Sequence, residues 1–163
     1  MNIELPLYRQ EKDNTCTLAC LRMVLAAFGT QVEESVLESH ARMEDNGVMI
    51  EEVQRLARQW RLMAEIQETS IADLRRLLRE GKLPITFIDR KVFDLSPSQR
   101  ARHSIHDAII HTVIPTQITA GTVKFHDPRP PAQIMRKPLR LFERAHQGLG
   151  GYSVVCSKPA SSQ

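Results

Sequence analysis

The sequence predicts an α+β fold in which an N-terminal helical part, led by a fully buried helix, packs on a C-terminal antiparallel β-sheet. Two observations carry this. Apolar residues recur at helical spacing up to Gly81, and beyond it the apolar runs become short, β-branched and punctuated by Pro and Gly. Helices and strands do not alternate as βα units, which argues against a parallel α/β sheet.

The first helix is read over Thr15 to Phe28, TCTLACLRMVLAAF, apolar on every side except for Arg22. That all-round apolarity marks a helix with no solvent face, and Gly29 supplies its stop. Val32, Val36, Leu37 and Ala41 define a second, amphipathic helix, and after the Asp45-Asn46-Gly47 break Ile50, Val53, Leu56, Ala57 and Trp60 define a third. Ser70, with Asp73 three residues on, opens a fourth whose apolar face is Ile71, Leu74, Leu77 and Leu78, ending at Gly81. LPITFID, AIIHTVIP and TVKFHD then read as strands, followed by a helix around Leu139 to His146 and a final strand YSVVC. Residues 89 to 107 and the Pro-rich DPRPPAQIMRKP read as irregular. Residues 1–157 are expected to form one domain and 158–163 a flexible tail.

A chain of 163 residues can bury a real core without disulfides. A hydrophobic content of 42% with 25% charge and a net charge of +3 excludes a disordered chain. Lys and Arg are interspersed with Asp and Glu, so no basic stripe suits a nucleic acid. The start MNIELPLYRQEKD has no signal-peptide pattern, and no apolar run is long enough for a membrane span. Three cysteines, at 16, 20 and 156, make no even disulfide framework. A reducing, cytoplasmic location is therefore expected. Oligomeric state is left open.

Thiol chemistry needs a thiolate, and a free cysteine is mostly protonated at neutral pH. Cys16 falls in the first turn of the buried helix, where unpaired N–H groups and the macrodipole favour negative charge. Cys20, one turn deeper among apolar residues, lacks that field and reads as core. Of the six histidines, His111 lies inside an apolar strand while the next strand ends at Asp127. Neighbouring antiparallel strands would bring carboxylate and imidazole together, as a base and its orienting group. At this level His111 has two readings, a base facing a cleft or a hydrogen-bonded core histidine. His106 is the reserve base. His103, His106, His111 and His126 could be imagined around a metal, but 106 and 111 would face opposite sides of a continuous strand. Gly150-Gly151 reads as a turn before the last strand.

The run Gln10-Glu11-Lys12-Asp13-Asn14-Thr15-Cys16-Thr17-Leu18-Ala19-Cys20-Leu21 resembles the cysteine box of the double-glycine leader peptidases, the bacteriocin-processing cysteine peptidases. His111-Thr112-Val113-Ile114-Pro115 through His126-Asp127-Pro128 is similar to their second box. NGVMIEEVQRLARQW and LRRLLREGKLPITFID match the intervening segments in order, so the likeness spans nearly the whole chain. The resemblance implies a papain-like fold, with Cys16 as nucleophile, His111 as base, Asp127 orienting it and Gln10 in the oxyanion hole. It further implies a peptide or small-protein substrate, cleaved after Gly-Gly in a cleft too narrow for a β-carbon, with no cofactor or metal. A non-catalytic peptide-binding module and an acyltransferase using the same thioester are the alternatives. Thr17 departs from the glycine usual after the nucleophile, so the backbone beside the oxyanion hole is expected to differ. Residues 89 to 107 read as an insertion beside the substrate path. The best-known members are domains of exporters, and with no span or ATPase segment in the sequence this chain resembles the stand-alone members.

Overall fold

The computed structural model describes residues 3 to 161. Six strands form one antiparallel sheet in the order β1-β6-β2-β3-β4-β5, with β1 at Met63–Glu68, β2 at Leu83–Asp89, β3 at Ile110–Ile118, β4 at Thr122–Asp127, β5 at Gln133–Pro138 and β6 at Tyr152–Ser157. One face carries α1 (Cys16–Ala27), α2 (Glu34–His40) and α3 (Ile50–Gln59), and the other carries α4 (Ile71–Arg79) and α6 (Leu139–Gln147). Alternation along β2 divides its side chains between the two layers. Ile85 joins the core under α1, and Ile88 joins the core under α4 and α6.

Helix α1 is the spine of the first layer. Leu18, Ala19, Cys20, Leu21, Met23, Val24 and Leu25 are fully buried, and each large one among them is stabilising by about 1.5–3 kcal/mol relative to exposure. Arg22 reaches out of this layer, its guanidinium 4.2 Å from the centre of the Tyr8 ring and 2.9 Å from Glu33. Gly29 ends the helix with φ of 95°, a left-handed conformation that costs glycine nothing. The α4 start forms as the sequence predicts: Ser70 Oγ accepts from Asp73 N at 3.1 Å and Asp73 Oδ2 accepts from Ser70 N at 2.9 Å. In the second layer Phe125 lies between Phe93 and Phe142, at centroid distances of 6.1 and 5.5 Å.

The fold class is as expected, with three corrections in detail. Strands β1 and β5 lie where no strand was read, so β1 falls between α3 and α4 and the helices do not all precede the strands. Both are the outer strands of the sheet. An edge strand pairs on one side only and buries little; β5 alternates between exposed and half-buried positions and has no apolar run. Residues 89 to 107 are not an irregular loop either. They form a 3-10 turn at Arg90–Asp94, α5 at Pro97–Arg102 and a second 3-10 turn at Ile105–Asp107, with a capping box between Ser96 and Gln99 at the start of α5. Buried Asp89 anchors this segment, bonding His103 and accepting from Ile109 N at 3.0 Å. Gly150 and Gly151 have φ of 92° and 73° and form the turn into β6. Of the predicted tail, residues 158 to 161 carry no helix or strand, and 162 and 163 lie outside the described residues.

Candidate active site

Cys16 is the first residue of α1, and the local sequence leaves that helix end open. Its N-cap, Thr15, makes no side-chain cap, because its hydroxyl is turned to Lys12, accepting from Lys12 N and donating to Lys12 O at 3.0 Å each. No acidic residue stands in the first turn. The unpaired N–H groups and the positive end of the helix therefore act on the Cys16 sulfur without competition.

His111 comes from β3 and Asp127 from the end of β4. In that hairpin Ile114 faces His126, so continuing the register puts Asp127 opposite Val113 (114 + 126 = 113 + 127) and diagonal to His111. The diagonal is closed by a bond of 2.6 Å between His111 Nε2 and Asp127 Oδ1, and the same oxygen accepts from Arg129 N at 2.9 Å. With Nε2 so engaged, Nδ1 is the ring nitrogen left for the sulfur. Burial presses the His111 pKa down, but bonds and charge from Asp127 and Cys16 outweigh it and hold the ring at about 9. Burial likewise presses the Cys16 thiol up, and is outweighed by the hydrogen bond and charge of His111, then by Thr112 and Thr17, leaving the thiol below its ordinary value. Both shifts favour a thiolate–imidazolium pair at neutral pH.

Cys20 sits one turn along the same helix, fully buried, its Sγ donating to Thr112 O at 3.4 Å. Burial pushes its thiol well above the ordinary value, and Cys156, buried in β6, is pushed up to about 12. Gln10 is buried, and its backbone N donates to Pro128 O at 2.8 Å, which ties the N-terminal segment to the strand end bearing Asp127. Its Nε2 donates to Lys12 O at 2.8 Å and Asp13 O at 3.2 Å, while buried Oε1 has no partner among the described residues. Helix α2 clamps this loop from beneath: Glu34 Oε1 accepts from Glu11 N at 3.0 Å, and Glu38 pairs with Lys12 at 2.6 Å.

The structure thus brings Cys16, His111 and Asp127 together and ties Gln10 to Pro128, the residue after Asp127, with its side-chain donors committed to backbone. His106, the reserve base, is exposed in a 3-10 turn; β3 starts only at Ile110, so the strand-face argument about 106 and 111 does not apply. Thr17, where the sequence departs from the resembled motif, is an ordinary residue of α1, buried, with its hydroxyl 2.9 Å from that of Thr112. Sequence reading missed Thr112, whose Oγ1 is 3.7 Å from Cys16 Sγ. A threonine in a strand carries no signal beyond β-propensity.

This architecture is that of the papain-like cysteine peptidases. A model of the peptidase C39 family matches residues 4–150, and the chain belongs to that family. Solved structures agree in fold. The chain is similar to a C39-like peptidase from Bacillus anthracis, with 16% identity, 97% of this chain and 96% of that one covered, and a TM-score of 0.74. It is also similar to a double glycine motif protease from an AMS/PCAT transporter, crystallised with the leader peptide, with 18% identity, coverage of 97% and 94%, and a TM-score of 0.70. For the peptidase domain of Streptococcus ComA, a bi-functional ABC transporter of a quorum-sensing pathway, identity is 12%, coverage 96% and 100%, and the TM-score 0.71. No curated protein matches the sequence. Family membership supports a cysteine peptidase. No helix among the described residues is long and apolar enough to cross a membrane.

Proposed function

We propose that the chain is a cysteine endopeptidase that hydrolyses a peptide or isopeptide bond after Gly-Gly through Cys16, His111, Asp127 and Gln10. The observation that carries this is geometric: Cys16 opens α1, and its partner His111 is bonded to Asp127 at 2.6 Å, an arrangement that holds the ring at about 9 and the thiol below its ordinary value. A core histidine has no reason to stabilise a thiolate.

The Cys16 thiolate attacks the scissile carbonyl. The oxyanion is met by the Cys16 backbone N–H, unpaired at the helix start, and by Gln10, which gives up the longer of its two bonds, to Asp13 O at 3.2 Å. His111 protonates the leaving amine from Nδ1, and the thioester forms. Water, deprotonated by the neutral ring, then releases the acid and restores the pair. Asp127 fixes the ring and balances its charge throughout. The Gly-Gly preference draws on the double-glycine protease of similar fold, which was crystallised with a leader peptide. One peptidase domain over residues 1–157 is supported by the strand order, since β6 lies between β1 and β2. A reducing, cytoplasmic setting suits an enzyme whose three cysteines are all free.

The test is cleavage of a library of peptides carrying Gly-Gly at a central position, by wild type and by Cys16→Ala. Turnover after Gly-Gly by wild type alone is expected. Binding without turnover, surviving Cys16→Ala and His111→Ala, would mean a binding module; transfer of the acyl group to an added amine in preference to water would mean an acyltransferase.

A further inference from the structure

Two buried hydroxyls touch the sulfur. Thr112 Oγ1 is 3.7 Å and Thr17 Oγ1 3.8 Å from Cys16 Sγ, and the two oxygens are 2.9 Å apart, closing a triangle of one sulfur and two oxygens. Thr17 is 4% and Thr112 1% exposed, so water does not compete for these groups. As the second residue of α1, Thr17 has no preceding helical turn to bond back to. Among the described residues its hydrogen-bond partners are Thr112 Oγ1 and Cys16 Sγ. The partners of the Thr112 hydroxyl are the same sulfur and Thr17.

We propose that the Thr17–Thr112 hydroxyl pair is a thiolate cradle, a two-donor part of the catalytic machinery that reorients to hold the sulfur when it loses its proton. The proposal rests on the reading of Cys16 as nucleophile. The proton count defines the device. In the thiol state three protons circulate round three heavy atoms: Cys16 S–H donates to Thr112 Oγ1, Thr112 O–H to Thr17 Oγ1, and Thr17 O–H to Cys16 Sγ. When the S–H bond breaks and its proton joins His111 Nδ1, two protons remain in the triangle. Thr112 then rotates its hydroxyl to donate to the sulfur, and Thr17 donates to Thr112 Oγ1 or to the sulfur. The Thr112 hydroxyl, which accepts from the sulfur in the structure, becomes a donor to it, and beyond Cys16 and His111 no group changes charge.

This arrangement differs from a pair of threonines that merely satisfy each other. Mutually satisfied hydroxyls would be replaceable together by valine at little cost, since removing both partners of a buried bond is nearly neutral. The cradle predicts that the same replacement leaves folding intact and raises the thiol. Bonds to a charged group are stronger than neutral ones, and the thiolate would lose them while the thiol would lose less. Both donors lie within the first turn of α1 or next to His111 in sequence, so they act on the same charge as the helix end and the imidazolium, from a third direction.

The rate of Cys16 alkylation by iodoacetamide, followed on the labelled peptide by mass spectrometry from pH 4 to 10, reads the thiolate directly. Wild type should titrate below the free-cysteine value. Thr112→Val and the Thr17→Val/Thr112→Val double variant should titrate higher by about one pH unit, and Thr112→Ser should return to within a few tenths of a unit of wild type. Unchanged midpoints in folded valine variants would overturn the cradle. A wild-type midpoint at the free-cysteine value would instead overturn the nucleophile itself, which keeps the two failures apart. Should the valine variants not fold by circular dichroism, Thr112→Ala, which adds no bulk, carries the same expectation and the same refutation.

Discussion

Asp127→Asn isolates the charge of the site from its shape. Asp127 Oδ1 serves both His111 Nε2, at 2.6 Å, and Arg129 N, at 2.9 Å, and the amide oxygen of asparagine can keep both bonds. What disappears is the negative charge beside a buried ring. Coulomb attraction between unit charges about 4 Å apart at an effective dielectric near 20 is about 4 kcal/mol, an upper figure for the site. Hydrogen bonds to charged groups measured in proteins contribute about 1.5–3 kcal/mol. At about 1.4 kcal/mol per unit the lower range corresponds to about 1–2 pH units. The alkaline limb of activity, set by loss of the His111 proton, should therefore fall from about 9 to about 7–8. The acid limb should rise, because a less persistent imidazolium supports the thiolate less. The assay is kcat/KM on a Gly-Gly peptide across pH 5 to 10, with Asp127→Ala as a comparison that removes the bonds as well. An alkaline limb that stays near 9 in Asp127→Asn would refute the claim that this carboxylate sustains the imidazolium.

Three further outcomes test the site separately. Gln10→Ala should lower kcat about 10²–10³-fold while the alkylation midpoint of Cys16 stays put, because an oxyanion donor acts on the intermediate and not on the resting sulfur; equal loss in both readouts would point to collapse of the loop. Iodoacetamide near neutral pH should label Cys16 and spare Cys20 and Cys156, whose thiols are pushed up by burial, until the protein is unfolded in denaturant. Glu34→Gln should raise the Tm near pH 7 and have little effect below pH 4. Burial raises the Glu34 pKa in the fold, so the native state binds the extra proton, and stability falls as pH rises from the unfolded carboxylate range through the raised value. A neutral amide can still accept from Glu11 N and carries no such cost.

How much of this is legible in the sequence depends on how much each segment buries. Helix α1 and strand β2 are mostly buried, and their apolar runs, interrupted chiefly by Arg22 in the helix and Thr86 in the strand, announce them. Helix α4 is legible for a second reason, since Ser70 and Asp73 write its capping box into four residues. Ser96 and Gln99 write the same signal before α5, within a segment read as irregular because none of its six helical residues is buried. Strands β1 and β5 were hidden by their place at the sheet margins. In the site, the approach of His111 to Asp127 follows from adjacent strands and was legible without coordinates. The partners of Gln10, the clamp from Glu34 and the contact of Thr112 with the sulfur depend on how loop, helix and strand meet across a long stretch of chain, and no local pattern encodes such meetings.

The placement of β6 has a bearing on when the protein becomes competent. This strand is the latest of the six in sequence, yet it fills the slot between the two earliest, pairing with β1 on one side and β2 on the other. Until it arrives, β1 has no neighbour, and β2 presents an open margin through residues 83 to 86, a few positions from where it pairs with His111. A ribosome making this chain must therefore feed out residues 152–157 before the sheet can close. Synthesis itself sets the clock, and a half-made copy is kept from forming the finished sheet that its reactive groups hang from.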